Sequence, residues 1–241
     1  MAKYLPIFLI CIFLLCGCVT IANIEKNVND FEYYPAIGLG VGSNTQISNE
    51  NRIEILFHIP KAGNDKDQIR SIWTYIRDNF RKGEMIDGAM DRNVNEILKN
   101  KDLRHCGEYG VLWTALLRLY GIPCEYIATK NLKETREKIT GSWTGHVFIY
   151  VYADRSFYLI DSTRGVVITD YDAHSRIIPI KIDEFADEGF IEMFRCIDIS
   201  SIIKEEKDYR AYLDAARSYF EENQIIPDSF YKEYSIYDNN W

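Results

Sequence analysis

The chain has 241 residues, 47% of them apolar, 27% charged and 14% aromatic, which excludes a disordered, collagen-like or low-complexity polypeptide and leaves enough apolar side chains for one fair-sized core. Lys and Arg number 28 against 36 Asp and Glu, so the formal net charge is −8 and the chain lacks the basic footprint of a nucleic-acid binder. Six cysteines are too few for a disulfide scaffold.

Residues Leu5–Leu15 form an uninterrupted apolar run behind Lys3. The run is short for a membrane span and fits the core of a secretory signal. Leu15-Cys16-Gly17-Cys18 follows, with Leu at −3, a small residue at −1 and Cys at +1. This resembles the lipobox of bacterial lipoproteins, which implies cleavage after Gly17, acylation of Cys18 and a domain tethered to the envelope membrane outside the cytoplasm. A retained anchor and an ordinary signal peptide are the alternatives. Removing residues 1–17 takes away one base and no acid, so the net charge becomes −9. Cys18, Cys106, Cys124 and Cys196 remain. With Cys18 acylated, the thiols are odd in number and at least one is unpaired.

Residues 18–65 read as a linker and a lead-in strand. The Gly38–Gly42 run has neither the Lys-Ser/Thr of a phosphate loop nor dinucleotide spacing. Residues 52–59 alternate, with Ile53, Ile55, Phe57 and Ile59 on one face, and predict a strand with His58 on its wetter side. The domain proper is expected over 66–200. Asn64 to Phe80 reads as a helix capped by Asn64 or Asp65, its stripe Ile69, Ile72, Trp73, Ile76 and Phe80 facing the core. A short helix is expected over 93–100. Cys106 to Tyr120 is apolar all round, the pattern of a central buried helix, stopped by Gly121 and Pro123. Strands follow at 124–129, 146–152 and 157–163, the last two joined by a polar turn at Ala153–Ser156. Residues 201–241 supply an amphipathic helix over 202–223 and an aromatic tail that packs on the domain.

Cys106 opens the buried helix, where the helix terminus favours a thiolate and first-turn N–H groups face an oxyanion. His146 begins one strand of the hairpin and Asp161 ends the other. A two-residue turn at Ala153 and Asp154 sets them directly opposite. A loop spanning 153–156 sets them diagonally. Both registers keep them on one face, the arrangement in which a carboxylate orients an imidazole.

The segment His105-Cys106-Gly107-Glu108-Tyr109-Gly110, continuing VLWTALLRLYGIPCEYI, together with Gly145-His146-Val147 and Leu159-Ile160-Asp161-Ser162-Thr163, resembles the transglutaminase-like superfamily over about residues 66–170. The resemblance implies an α+β, papain-like core with the nucleophile helix packed on an antiparallel sheet. It implies Cys106 as nucleophile, His146 as general base and acid, and Asp161 as orienting carboxylate, working on amide or peptide bonds through a thioester. The partner would be a peptide or protein amide, peptidoglycan among them. Some members of the family only bind, so a non-catalytic scaffold lipoprotein is the alternative.

Cys124 stands where the family often has Ala and reads as a buried hydrophobe. Glu108 and Arg164 either line the site or brace it. A second oxyanion donor has no assigned residue; Trp73, Tyr75 and Asn79 are the candidates upstream. No cofactor or metal is expected: no EF-hand loop or Cys-x-x-Cys pair is present, and His105, Cys106 and His146 match no zinc spacing.

Overall fold

Ser48 accepts a hydrogen bond from the Asn51 N–H and caps helix α1, Asn49–His58. The lead-in strand expected at 52–59 is therefore a helix. The alternation that suggested a strand also contains an i, i+4 pair: Ile55 and Ile59 are buried, while Ile53 and Phe57 are exposed on another face. The structure is a computed structural model that describes residues 42–84, 92–138, 144–183, 186–196, 199, 206–223 and 229–241. The expected signal segment 1–17, the Cys18 lipidation site, the linker as far as Val41 and residues 202–205 of the C-terminal helix lie outside them. Among the described residues no helix is long and apolar enough to cross a membrane.

Helix α2, Asp65–Asn79, is capped by Asn64 and buries the expected stripe. Strand β1, Arg81–Lys82, pairs in parallel with β2, Asp102–Leu103. Between them α3, Val94–Asn100, starts from a capping box of Asn93 and Glu96. Helix α4, Cys106–Leu119, is buried along almost its whole length. At Gly110 an added Cβ would lie 2.5 Å from both the Tyr126 ring and a Val147 methyl, so glycine lets the helix lie close on the sheet. Gly121 takes φ +79° and donates to the Arg118 carbonyl, ending the helix where the sequence predicts.

The sheet contains β3 (Cys124–Asn131), β4 (Gly145–Ala153), β5 (Ser156–Asp161), β6 (Val166–Ile168), β7 (Ile177–Ile178), β8 (Phe190–Cys196) and β9 (Glu233–Ser235). Its order is β7-β8-β3-β4-β5-β6-β9, antiparallel throughout. Helix α5, Leu132–Arg136, follows β3, and α6, Glu206–Asn223, packs on β8 and α5. Helix α4 packs on β3 and β4, giving the α+β core the sequence predicts. The β4–β5 turn is Asp154-Arg155, both residues left-handed, with Ala153 paired to Ser156 and Phe148 to Asp161. Of the two registers the sequence allows, this is the diagonal one.

Among the described residues of the last segment, 201–241, β9 adds to the sheet edge and Trp241 is buried. Of the aromatic tail, Trp241 packs on the domain as expected, whereas Phe230 and Tyr237 are exposed.

Candidate active site

His105 occupies the N-cap position in extended conformation without a side-chain capping bond, and Cys106 is the first residue of α4. The N–H groups of Glu108 and Tyr109 both donate to the His105 carbonyl. Those of Cys106 and Gly107 have no carbonyl one turn earlier inside the helix, so they face outward beside the sulfur. Such donors, with the positive end of the helix dipole, suit developing negative charge.

The loop before Cys106 is fixed by Glu108, which is wholly buried. Its carboxylate takes both Nε and Nη2 of Arg92, Nε of Arg104 and the Arg104 N–H, at 2.7–2.8 Å. Burial opposes its charge, but the two guanidinium groups prevail and hold it down to about 2. Glu108 therefore braces the site.

His146 is held by its backbone and by its ring. Its carbonyl accepts from Thr129 Oγ1 at 3.0 Å, and the ring packs edge-on against Phe148. His146 Nε2 stands 2.9 Å from Asp161 Oδ1. An ionised carboxylate only accepts, so Nε2 carries the proton and Nδ1 is the nitrogen left for the thiol. Burial works against the imidazolium. The charge and hydrogen bond of Asp161 outweigh it, with a hydrogen bond to Cys106 adding to them, and the pKa of His146 rises above the ordinary histidine value. Asp161 is also wholly buried, which opposes its charge, yet His146 and Arg164 hold it well below the carboxylate range.

The structure thus brings Cys106, His146 and Asp161 together. Cys124 is fully buried against the Thr114 carbonyl, and burial pushes its thiol up to about 11, as suits a core residue. Trp73, Tyr75 and Asn79 are engaged elsewhere. Trp73 stacks on Trp113, the Tyr75 hydroxyl accepts from Lys101, and Asn79 donates to the Tyr75 carbonyl.

Three site residues were not singled out as such from sequence. Ser162 donates to the Val147 carbonyl at 2.8 Å, and its own carbonyl accepts from Trp113 Nε1, which ties the end of β5 to β4 and α4. Thr163 gives Asp161 Oδ1 its N–H and its hydroxyl, both at 3.0 Å. The signal was present: Asp followed by Ser-Thr at a strand end is a turn in which the side-chain carboxylate collects the next N–H groups. Tyr209, on α6, lies near Cys106; burial, and then the charge of Cys106, raise its pKa to about 12.

Residues 57–162 match the model of the transglutaminase-like superfamily, and the match contains all three residues. The chain carries a transglutaminase-like domain. Solved structures similar to it include a proposed cysteine protease from Cytophaga hutchinsonii, at 17% identity and a TM-score of 0.45 over 67% of this chain and 46% of that one. A proposed protease from Parabacteroides distasonis gives 17% identity and a TM-score of 0.38 over 52% and 27%. A TGase gives 16% identity and a TM-score of 0.36 over 50% and 34%. The chain spans less than half the length of each. No curated protein matches it. Arg164 and everything after it lie beyond the stretch that defines the transglutaminase-like match.

Proposed function

We propose that this chain is a thiol enzyme that cleaves or transfers amide bonds through Cys106, His146 and Asp161, tethered to an envelope membrane outside the cytoplasm through Cys18. The observation that carries the chemistry is the ordered line from a helix-terminal thiol to an imidazole whose far nitrogen is held by a buried carboxylate. The tether rests on Leu15-Cys16-Gly17-Cys18 behind the apolar run.

The Cys106 thiolate attacks the carbonyl carbon of a carboxamide or peptide. Charge on the carbonyl oxygen is received by the outward N–H groups of the first helical turn. As the C–N bond breaks, His146 Nδ1 gives its proton to the leaving amine and a thioester remains. Water or a second amine then adds to the thioester, with His146 taking its proton, and the C–S bond breaks to restore the thiolate. Asp161 stays ionised throughout and keeps the ring in one orientation.

The test is the iodoacetamide labelling rate of Cys106 against pH, resolved by peptide mass spectrometry, with release of amine from a panel of amide substrates measured beside it. At pH 6 we expect wild-type Cys106 to label about tenfold or more faster than Cys106 in His146→Ala, and amine release to vanish in Cys106→Ser. A labelling profile like that of a free thiol and indifferent to His146→Ala would overturn the enzyme reading in favour of a binding groove.

A further inference from the structure

Asp161 is held from both sides. Oδ1 faces His146 and the turn N–H groups, while Oδ2 accepts from Arg164 Nε at 2.6 Å. The same guanidinium turns its other edge to β9, where Nη1 and Nη2 donate to the two Glu233 oxygens at 3.0 and 2.8 Å. Both edges of the arginine are therefore committed, one to a wholly buried carboxylate and one to a half-buried one. The backbone keeps this pairing in register. β6 begins two residues after Arg164, Ile168 pairs with Glu233, and the Ile236 N–H donates to the Gly165 carbonyl.

We infer that Arg164 and Glu233 are positioning residues of the site, through which the C-terminal strand holds Asp161 in line with His146. The inference rests on the proposed triad. From His146 outward the charges alternate: imidazolium, Asp161 carboxylate, Arg164 guanidinium, Glu233 carboxylate. A lone guanidinium against Asp161 would compete with the imidazolium for the same negative charge. Glu233 offsets part of that competition, so Asp161 keeps its hold on the ring while Arg164 keeps Asp161 ionised. Among the described residues, Asp161 and Cys106 act on His146; Tyr209 lies near Cys106, and Glu134 near Tyr209.

The arrangement has a signature that loosened packing does not mimic: removing either end moves the His146 titration in opposite directions. In Glu233→Gln the uncompensated Arg164 charge disfavours the imidazolium. In Arg164→Gln the competing cation is gone. The experiment is a pH titration of the ring nitrogens of the full chain by NMR, tractable with four histidines. We expect the His146 midpoint to fall by about half a unit or more in Glu233→Gln, rise in Arg164→Gln and return to the wild-type value in Glu233→Asp. His58 and His174 serve as internal references. Unchanged midpoints in both glutamine variants, or shifts of the same sign, would overturn the inference. The readout needs no substrate, so opposite shifts in a protein whose Cys106 labels like a free thiol would sink the proposed activity and leave the network standing.

Discussion

At the scale of single residues, the pair formed by His146 and Asp161 ties stability to pH. The folded-state pKa of His146 is raised, so between the unfolded and folded values the native chain holds a proton that the unfolded chain has released. Stability from this source is complete below the ordinary histidine value of about 6.5 and is lost as pH rises through the raised one. Asp161 behaves oppositely. Its folded pKa is depressed, so its contribution is complete above the ordinary value of about 3.9 and is lost as pH falls through the folded one. The two windows overlap in mildly acidic solution. His146→Gln should therefore cost most near pH 5 to 6, on the order of 2 kcal/mol, with the gap from wild type narrowing as the solution is made alkaline. Urea unfolding of both proteins at several pH values measures that gap. A gap that widened with pH would mean that the ring is neutral in the native state.

At the scale of elements, helix α1 separates what an apolar pattern says from what it hides. Ile55 is 1% exposed and Phe57 is 82% exposed, although strand alternation sets them on the same face. Ile55→Ala should cost about 2 to 4 kcal/mol, whereas Phe57→Ser should fall within about 0.5 kcal/mol of wild type. Denaturation midpoints decide it, and equal losses would restore the strand. Ser48 was the sign that a helix begins there, but a capping side chain decides against alternation only when the i, i+4 pair Ile55 and Ile59 is read together with it. Elsewhere the elements were legible because local chemistry and burial agree. Asn64 caps α2, Gly121 stops α4, and the apolar circumference of α4 forecasts its central place. The candidate site was legible to the same depth. Hairpin face is a local property and sets His146 beside Asp161 in either register, whereas Cys106 joins them through the family resemblance and, in the fold, through the packing of α4 on β3 and β4. The choice of register was not local. It depends on Asp154 and Arg155 both taking left-handed backbone, and the Asp154 carboxylate accepts from the Asp65 and Lys66 N–H groups of α2. Arg164 was legible as a residue that lines or braces the site, but its pairing with Glu233 was beyond reach for a related reason: 69 residues separate them, and only the pairing of β6 with β9 makes them neighbours.

At the scale of the whole molecule, the tail joins the domain by two routes, one apolar and one ionic. The apolar route ends at Trp241, which is 4% exposed. Its ring meets Tyr158 edge-on with centroids 5.4 Å apart, Lys66 and Arg70 lie over it, and its indole N–H donates to the Ile236 carbonyl. Arg70 further reaches the carbonyls of Ile236 and Asp238. The ionic route is Glu233 to Arg164 to Asp161. The β6–β9 ladder lies between them and is satisfied by its own backbone bonds, so the two routes can be cut separately. Trp241→Ala removes a large buried ring and should cost about 3 kcal/mol of stability. It leaves Glu233 paired through the ladder, so the His146 titration should stay where the wild type has it. Glu233→Gln should do the reverse, changing stability by no more than about 1 kcal/mol, as expected of a partly exposed ion pair, while moving the titration. Urea unfolding and the NMR titration, run on both variants, test the separation. A Trp241→Ala protein whose His146 midpoint moved as far as that of Glu233→Gln would show that the tail acts on the site as one packed body.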